Sequence, residues 1–284
     1  MVQLETEGKS NYTKRNIEKF LQLINRKADL DNPKEVLLFI SRHQVSNSTK
    51  EALSYAYRKY CKYYNIQAKI PFYPPDPKPV HVPTREKLKT IIANASETMV
   101  AKLTLSMETG IRPVELHNLK VKDVDTEQKL VYPTTAKHGA SRTLKMSTAL
   151  STMIQEHIAK NNLKSNDQLF KGTAAKYGKN FRRLRNKLAD KLHDQTIKTI
   201  RLYDIRHYFC TKKCYEIQNP WIVMNLMGHK RLETTQIYMH MLNLEEGEWI
   251  CQGAETKEQA MKLIEAGFQY VTTIEGIQLF KKRK

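Results

Sequence analysis

Three separated stretches of this chain collect side chains able to handle a phosphate. METGIRPVELHNL holds Arg112 between Gly110 and Pro113. LYDIRHYF holds Arg206 three residues after Tyr203. GHKRLETTQIYMHM holds His229 and, nine residues on, Tyr238. An arginine fork donates two parallel hydrogen bonds to an oxyanion and stays charged at physiological pH. A glycine ending one helix and a proline opening the next would set Arg112 at a tight junction with free backbone N–H groups, which suits an anion. An ordinary surface arginine would read the same way. Tyr203 and Arg206, three apart on a helix, would share a face. Tyr238 is one of fourteen tyrosines. By residue type alone it is either a helix aromatic or a nucleophile.

The elements that must position these side chains read mostly as helices. Ile17, Phe20, Leu21 and Ile24 form one apolar stripe, and Asn32-Pro33 opens a second helix on EVLLFI. Ser48 and Glu51 read as a capping box ahead of Leu53, Ala56, Tyr57 and Tyr60. Residues 71–83 then carry six prolines in PFYPPDPKPVHVP, which suits an extended, semi-stiff connector. Helical patterns resume from about Thr84 to Leu119. KLVYPTT and SRTLKM form a strand pair about an AKHGA turn, and helical segments fill about 147–161, 174–193 and 203–241. In the tail, Thr256 and Gln259 cap a helix that Gly267 ends, and QYVTTIEGIQLF reads as a hairpin turning at Glu275-Gly276.

Charge bounds the partner. The 284 residues carry a formal charge of +19, which favours a polyanion and most simply nucleic acid. Residues 1–83 hold 14 basic and 8 acidic residues, net +6; the remainder holds 34 and 21, net +13. Both parts could meet phosphates, with binding that falls steeply in salt. Cys210 and Cys214, in CTKKC, read either as reduced thiols near a core face or as half of a zinc site whose partners are not evident. No run of about 18 apolar residues marks a membrane span. The polar, acid-containing start MVQLETEGKS does not read as a secretory signal, so an intracellular, cytoplasmic and DNA-associated protein is expected.

Together the motifs resemble the tyrosine recombinase (integrase) family. TGIRPVEL is similar to that family's first arginine box, T-G-x-R-x-x-E-L. IRHYF followed by LMGHKRLETTQIYMHM is similar to its second box, which ends in the nucleophilic tyrosine. Lys137, in AKHGASRTLKM, stands where the family places a hairpin lysine. The match runs from about Thr84 to Met241.

The resemblance implies a mainly α fold with a small β-sheet, in which an N-terminal helical DNA-binding domain precedes a catalytic domain. It sets a helical core-binding domain at residues 1–70 that closes a C-shaped clamp, a proline-rich linker at 71–83, and a catalytic domain at 84–284. The helix-hairpin extension from about 243 to 284 resembles tails on integrases of archaeal viruses and plasmids. Segments there often couple neighbouring protomers. The final KKRK either touches DNA or is solvated.

The implied reaction is site-specific strand exchange on double-stranded DNA recombination sites, with no cofactor, metal or ATP. The implied assembly is a dimer on each site and a tetrameric synapse. Tyr238 would attack the scissile phosphate to give a 3′-phosphotyrosine and a free 5′-hydroxyl. Arg112 and Arg206 would hold the non-bridging oxygens, Lys137 would protonate the leaving oxygen, and His229 would hydrogen-bond or orient the phosphate. Glu115 would support Arg112. Relatives with the same chemistry are chromosome-dimer resolvases and type IB topoisomerases; a decayed, purely DNA-binding version is the non-enzymatic reading.

One position departs from the pattern. The family usually has histidine three residues before the second arginine, and here Tyr203 stands there. A neutral phenol can donate to a phosphate or relay a proton, or it can merely pack, but it is no imidazole-type base at pH 7. The base for Tyr238, whose ordinary phenol is mostly protonated at pH 7, is thereby left open. His207 and His138 lie beside the motifs and are either structural or direct participants.

Overall fold

A computed structural model describes residues 8, 10–76, 79–135, 140–239 and 249–283. The chain divides into two compact units, Met1–Pro79 and Val80–Lys284. The first is built from α1 (Asn11–Asn25), α2 (Pro33–Arg42) and α3 (Asn47–Tyr64). Ser10 caps α1 by accepting from the Thr13 N–H, and Pro33 opens α2 after Asn32. Ile24, Val36, Ile40, Leu53 and Tyr57 are fully buried together. Burying each such aliphatic side chain stabilises the fold by roughly 1.5–3 kcal/mol before conformational entropy is set against it. The capping box expected at Ser48 and Glu51 does not form. α3 starts two residues earlier, after Ser46, and Glu51 instead accepts from Arg58 and from the Tyr73 N–H at 3.0 Å. A guanidinium two turns further along the same helix and a backbone N–H beyond its end claim the carboxylate in place of the local cap.

In the second unit, α4 (Arg85–Ala93), α5 (Glu97–Thr109), α6 (Pro113–Asn118), α7 (Thr148–Lys160) and α8 (Ala174–Lys191) surround the main core. Leu103, Leu105, Leu116, Val131, Leu144, Ile154 and Phe181 are nearly or fully buried there. The expected strand pair is present but short. β2 (Leu130–Val131) pairs antiparallel with β3 (Leu144–Lys145), and β1 (Val124–Asp125), which the sequence pattern did not suggest, pairs on the far side of β2.

α9 (Leu202–Ile217), α10 (Pro220–Met227) and α11 (Glu233–Met239) carry the two later motifs. α9 has no single apolar face, because it is packed on two sides. Ile205 joins the main core, while Phe209, Cys210 and Cys214 meet Val223, Met227 and Tyr238 in a second cluster. Both cysteines are buried free thiols.

The tail is a separate small sheet. β5 (Gln269–Ile274) and β6 (Ile277–Arg283) form the expected hairpin, with φ of 52° and 83° at Glu275 and Gly276, as a tight two-residue turn needs. β4 (Trp249–Ala254) adds to the other edge of β6, giving the order β4-β6-β5. α12 (Lys257–Glu265) is capped by Thr256 and covers Ala254, Ala260 and Phe280.

Candidate active site

Two helix ends create the centre of the site. α5 stops at Gly110, φ 62°, and α10 stops at Gly228, also φ 62°. This left-handed backbone suits glycine because it has no Cβ. Space enforces it as well: a Cβ on Gly110 would stand 2.3 Å from Phe209, and one on Gly228 would stand 3.0 Å from both the Ala140 carbonyl and Arg142. Carbonyl groups at the two ends are then free to receive arginines.

Arg206, on α9, is almost fully buried. Its Nη1 donates to the Gly110 carbonyl and its Nη2 to the Met227 carbonyl, each at 2.6 Å. Arg112 precedes α6 and donates from Nη2 to the Gly228 carbonyl at 3.0 Å and from Nη1 to Glu115 at 2.6 Å. The two sequence-distant guanidinium groups thus converge on the Met227–Gly228 turn. Burial first, and the Arg112 charge second, bring the Arg206 guanidinium down to about 10. Arg206 remains fully charged at pH 7.

Two of the backbone N–H groups around Arg112 are taken: the Arg112 N–H donates to Glu115 Oε2 at 3.1 Å, and the Ile111 N–H to Thr109 Oγ1 at 3.3 Å.

Glu115 is buried between two arginines. Besides Arg112 it receives Arg142, at 2.6 Å from Nη2 to Oε2. Burial alone would push its carboxyl up, but Arg142 and Arg112 outweigh it and hold the group at about 2. Arg142 was missed at the sequence level. Its spacing from the first box has no period, and SRTLKM reads as an ordinary strand with basic letters.

His229 follows Gly228 directly and is buried, its Nδ1 2.9 Å from the Thr235 hydroxyl. Burial, then the Arg206 and Arg112 charges, lower it to about 3, so the ring is neutral at pH 7. Thr235, fully buried, is a second residue that sequence reasoning passed over.

Tyr238 is buried on α11, with its ring stacked 6.4 Å from that of His229. Its hydroxyl lies 2.6 Å from Nδ1 of His207. Burial, then the neighbouring Cys210 and Tyr203, push its phenol above the ordinary value of 10. Tyr203 does not share the buried face of Arg206. It is 44% exposed and meets the edge of the His207 ring with centroids 5.1 Å apart. The 60° between positions three apart on a helix suffices to turn it outward. Lys137 and His138 lie outside the described residues. Arg112, Arg206, His229 and Tyr238 are therefore brought together, with Glu115 behind Arg112 and Tyr203 at the rim.

A model of the phage integrase family matches residues 82–245, more than half of the chain. The chain belongs to that family, the tyrosine recombinases. Among curated relatives it is similar to tyrosine recombinase XerA of Saccharolobus solfataricus, 28% identical over 196 residues. That alignment covers 66% of this chain and 61% of the relative, so the chain spans under two thirds of it. Tyrosine recombinase XerA of Pyrococcus horikoshii is 26% identical over 256 residues, covering 83% and 85%. A solved Tn1549 transposon integrase, in complex with circular intermediate DNA, superposes with a TM-score of 0.68 at 19% identity, over 93% of this chain and 96% of that one. At that identity the fold is what the two share. The mainly helical architecture with small sheets is thus the fold of this family. Among the described residues, no helix is long and apolar enough to cross a membrane.

Proposed function

We propose that this chain is a site-specific DNA recombinase that breaks and rejoins double-stranded DNA through a 3′-phosphotyrosine. The observation that supports it most is the convergence of Arg112 and Arg206 on the Met227–Gly228 turn, beside His229 and the buried phenol of Tyr238. A phosphodiester attacked by a phenol gathers negative charge on its non-bridging oxygens. Two fixed guanidinium forks neutralise that charge without reorganising. Neutral His229, held on one nitrogen by Thr235, offers its other nitrogen to the phosphate. Lys137 serves as the acid for the departing 5′ oxygen. The bond energy stays in the phosphotyrosine, so religation needs no nucleotide.

Residues 1–70 act as a core-binding domain, with Lys and Arg side chains that position the DNA backbone. The charge of +19 suits that partner. A dimer on each site and a tetrameric synapse complete the reading. Within the family we assign the integrase type, from a mobile element or virus, on the resemblance of the tail beyond residue 243.

The deciding experiment incubates the protein with a nicked duplex library that traps covalent intermediates. Wild type forms a protein–DNA adduct, and Tyr238→Phe forms none while binding DNA as before. An adduct persisting in Tyr238→Phe would refute the assignment. A plasmid bearing two copies of the recovered site then separates the classes: a recombinase exchanges the sites, and a topoisomerase only relaxes the plasmid.

A further inference from the structure

We propose that His207 is the base that takes the proton from Tyr238, and that Asp204 is the positioning residue that holds His207 for it. The inference rests on Tyr238 being the nucleophile and names the group that activates it.

The geometry runs through one turn of α9. His207 Nδ1 lies 2.6 Å from the Tyr238 hydroxyl, with the two rings tilted by 33°. Its other nitrogen, Nε2, faces Asp204 Oδ1 at 4.0 Å. Asp204 is completely buried. Its Oδ2 accepts the Arg201 N–H at 2.8 Å, while the buried Oδ1 has no hydrogen-bond partner among the described residues. Arg201 Nη2 sits 3.3 Å from Oδ1 but without hydrogen-bond alignment. A buried carboxylate oxygen without a hydrogen bond is costly. An Nε2–H on His207, drawn in by a few tenths of an ångström to one ångström, would satisfy it. That tautomer leaves Nδ1 as an acceptor for the phenol proton.

The other groups around His207 are His81, Arg201, Arg206, His229 and Tyr203. Burial favours the neutral ring, Asp204 opposes that, and Arg201, Arg206 and His81 favour it again. A neutral imidazole is the form a base must start from. Tyr238 needs one, because burial pushes its phenol the wrong way for spontaneous ionisation. Tyr203 cannot supply it: a phenol is no imidazole-type base at pH 7, and the ring is 44% exposed, set edgewise to His207. The imidazole missing from position 203 is thus provided one helical turn later, on the side of α9 that Tyr238 packs against.

The step balances. The Oη–H bond of Tyr238 breaks and its proton passes to His207 Nδ1. The oxygen pair forms the P–O bond, and the P–O5′ bond breaks. The leaving oxygen takes a proton from a separate acid. The resulting imidazolium rests against Asp204. Religation runs the same path backwards, with His207 returning its proton to the phenol.

The test measures adduct formation on nicked duplexes that wild type has selected from a random library, between pH 6 and 9. His207→Asn keeps an oxygen near Nδ1 to accept the phenol hydrogen bond but cannot take the proton. We expect it to bind the duplex normally and to cleave about 100-fold more slowly at pH 7. The deficit should shrink about tenfold per pH unit as hydroxide replaces the base. Placing trifluorotyrosine, a more acidic phenol, at position 238 should restore part of the rate in His207→Asn and not in wild type. A rate within threefold of wild type, or a deficit that neither pH nor the acidic phenol alters, would overturn the inference. If His207→Asn is unstable, the acidic phenol in wild type decides: a rate limb governed by His207 stays in place, whereas one that moves with the phenol shows that no base acts. No adduct from wild type would remove the parent reading as well, which distinguishes the two failures.

Discussion

Arg142 Nη2 stands 2.6 Å from Glu115 Oε2, and both side chains are buried. The pair links the short β2–β3 sheet to the start of α6, and through Glu115 it reaches Arg112. Arg112 is therefore held, through Glu115, by a second arginine.

Removing one member of such a buried pair strands the other charge. Glu115→Ala should cost about 3–5 kcal/mol. The double variant Glu115→Leu/Arg142→Met should lose less than the sum of the two single changes, because Arg142 is no longer stranded, while Arg112 loses its carboxylate and keeps the Gly228 carbonyl. Urea unfolding measures both. Additive losses would show that the two side chains are independent.

Gly110→Ala should be severe. The new methyl meets the Phe209 ring, and alanine is strained at φ 62°. Strain and overpacking together suggest about 2–4 kcal/mol. The Gly110 carbonyl also holds Arg206, so adduct formation on nicked DNA should fall even where the variant is folded. A variant of normal stability and rate would refute both parts.

Acid should weaken the fold from just below neutrality. His229 is held at about 3 against an ordinary 6.5, so its share of stability is whole above pH 6.5 and is lost as pH falls towards 3. Glu115, at about 2 against 4.5, runs the same way lower down. At pH 5 the His229 contribution alone is about 2 kcal/mol, or roughly 5 °C in melting temperature. In His229→Gln the melting temperature should change less between pH 7 and 5. A fall equal to that of wild type would sink the attribution. Nitrogen-15 shifts of the ring should show His229 neutral at pH 5.

Tyr203→His should keep or raise cleavage. The side chain is 44% exposed and packs edgewise against the His207 ring, so a smaller ring is accommodated. A folded but inactive variant would show that the Tyr203 hydroxyl has a specific task.

Deleting residues 249–283 should leave cleavage of a single nicked site and reduce exchange between two sites. The tail has a small core of its own around Phe280 and adds nothing to the cluster around Arg206. Unchanged synapsis would refute the idea that the tail couples protomers.

The helices were legible where a local signal punctuates them, as Pro33 does in α2 and Gly110 after α5, whereas Ser10 before α1 and Gly228 after α10 emerged only from the structure. Both arginines, His229 and Tyr238 could be named because their spacing is short within each box. β4 was not legible, since WICQGA lacks a two-residue alternation and finds its partner, β6, nearly thirty residues on. The Ser48–Glu51 cap failed for the related reason that Arg58 and the Tyr73 backbone claim Glu51. Arg142, Thr235 and the contact between His207 and Tyr238 depend on tertiary packing alone, and no periodicity encodes them.

Arg206 donates to two backbone carbonyls, Gly110 and Met227, that sit where α5 and α10 finish. These are the negative poles of two helix dipoles, so the guanidinium is steadied by fractional charges and not by a carboxylate. A carboxylate would have cancelled its field. Carbonyls hold the fork in place yet leave most of its unit charge unspoken for. Arg206 is thus a positive centre set between two helix ends, with a phosphodiester as its natural counter-ion.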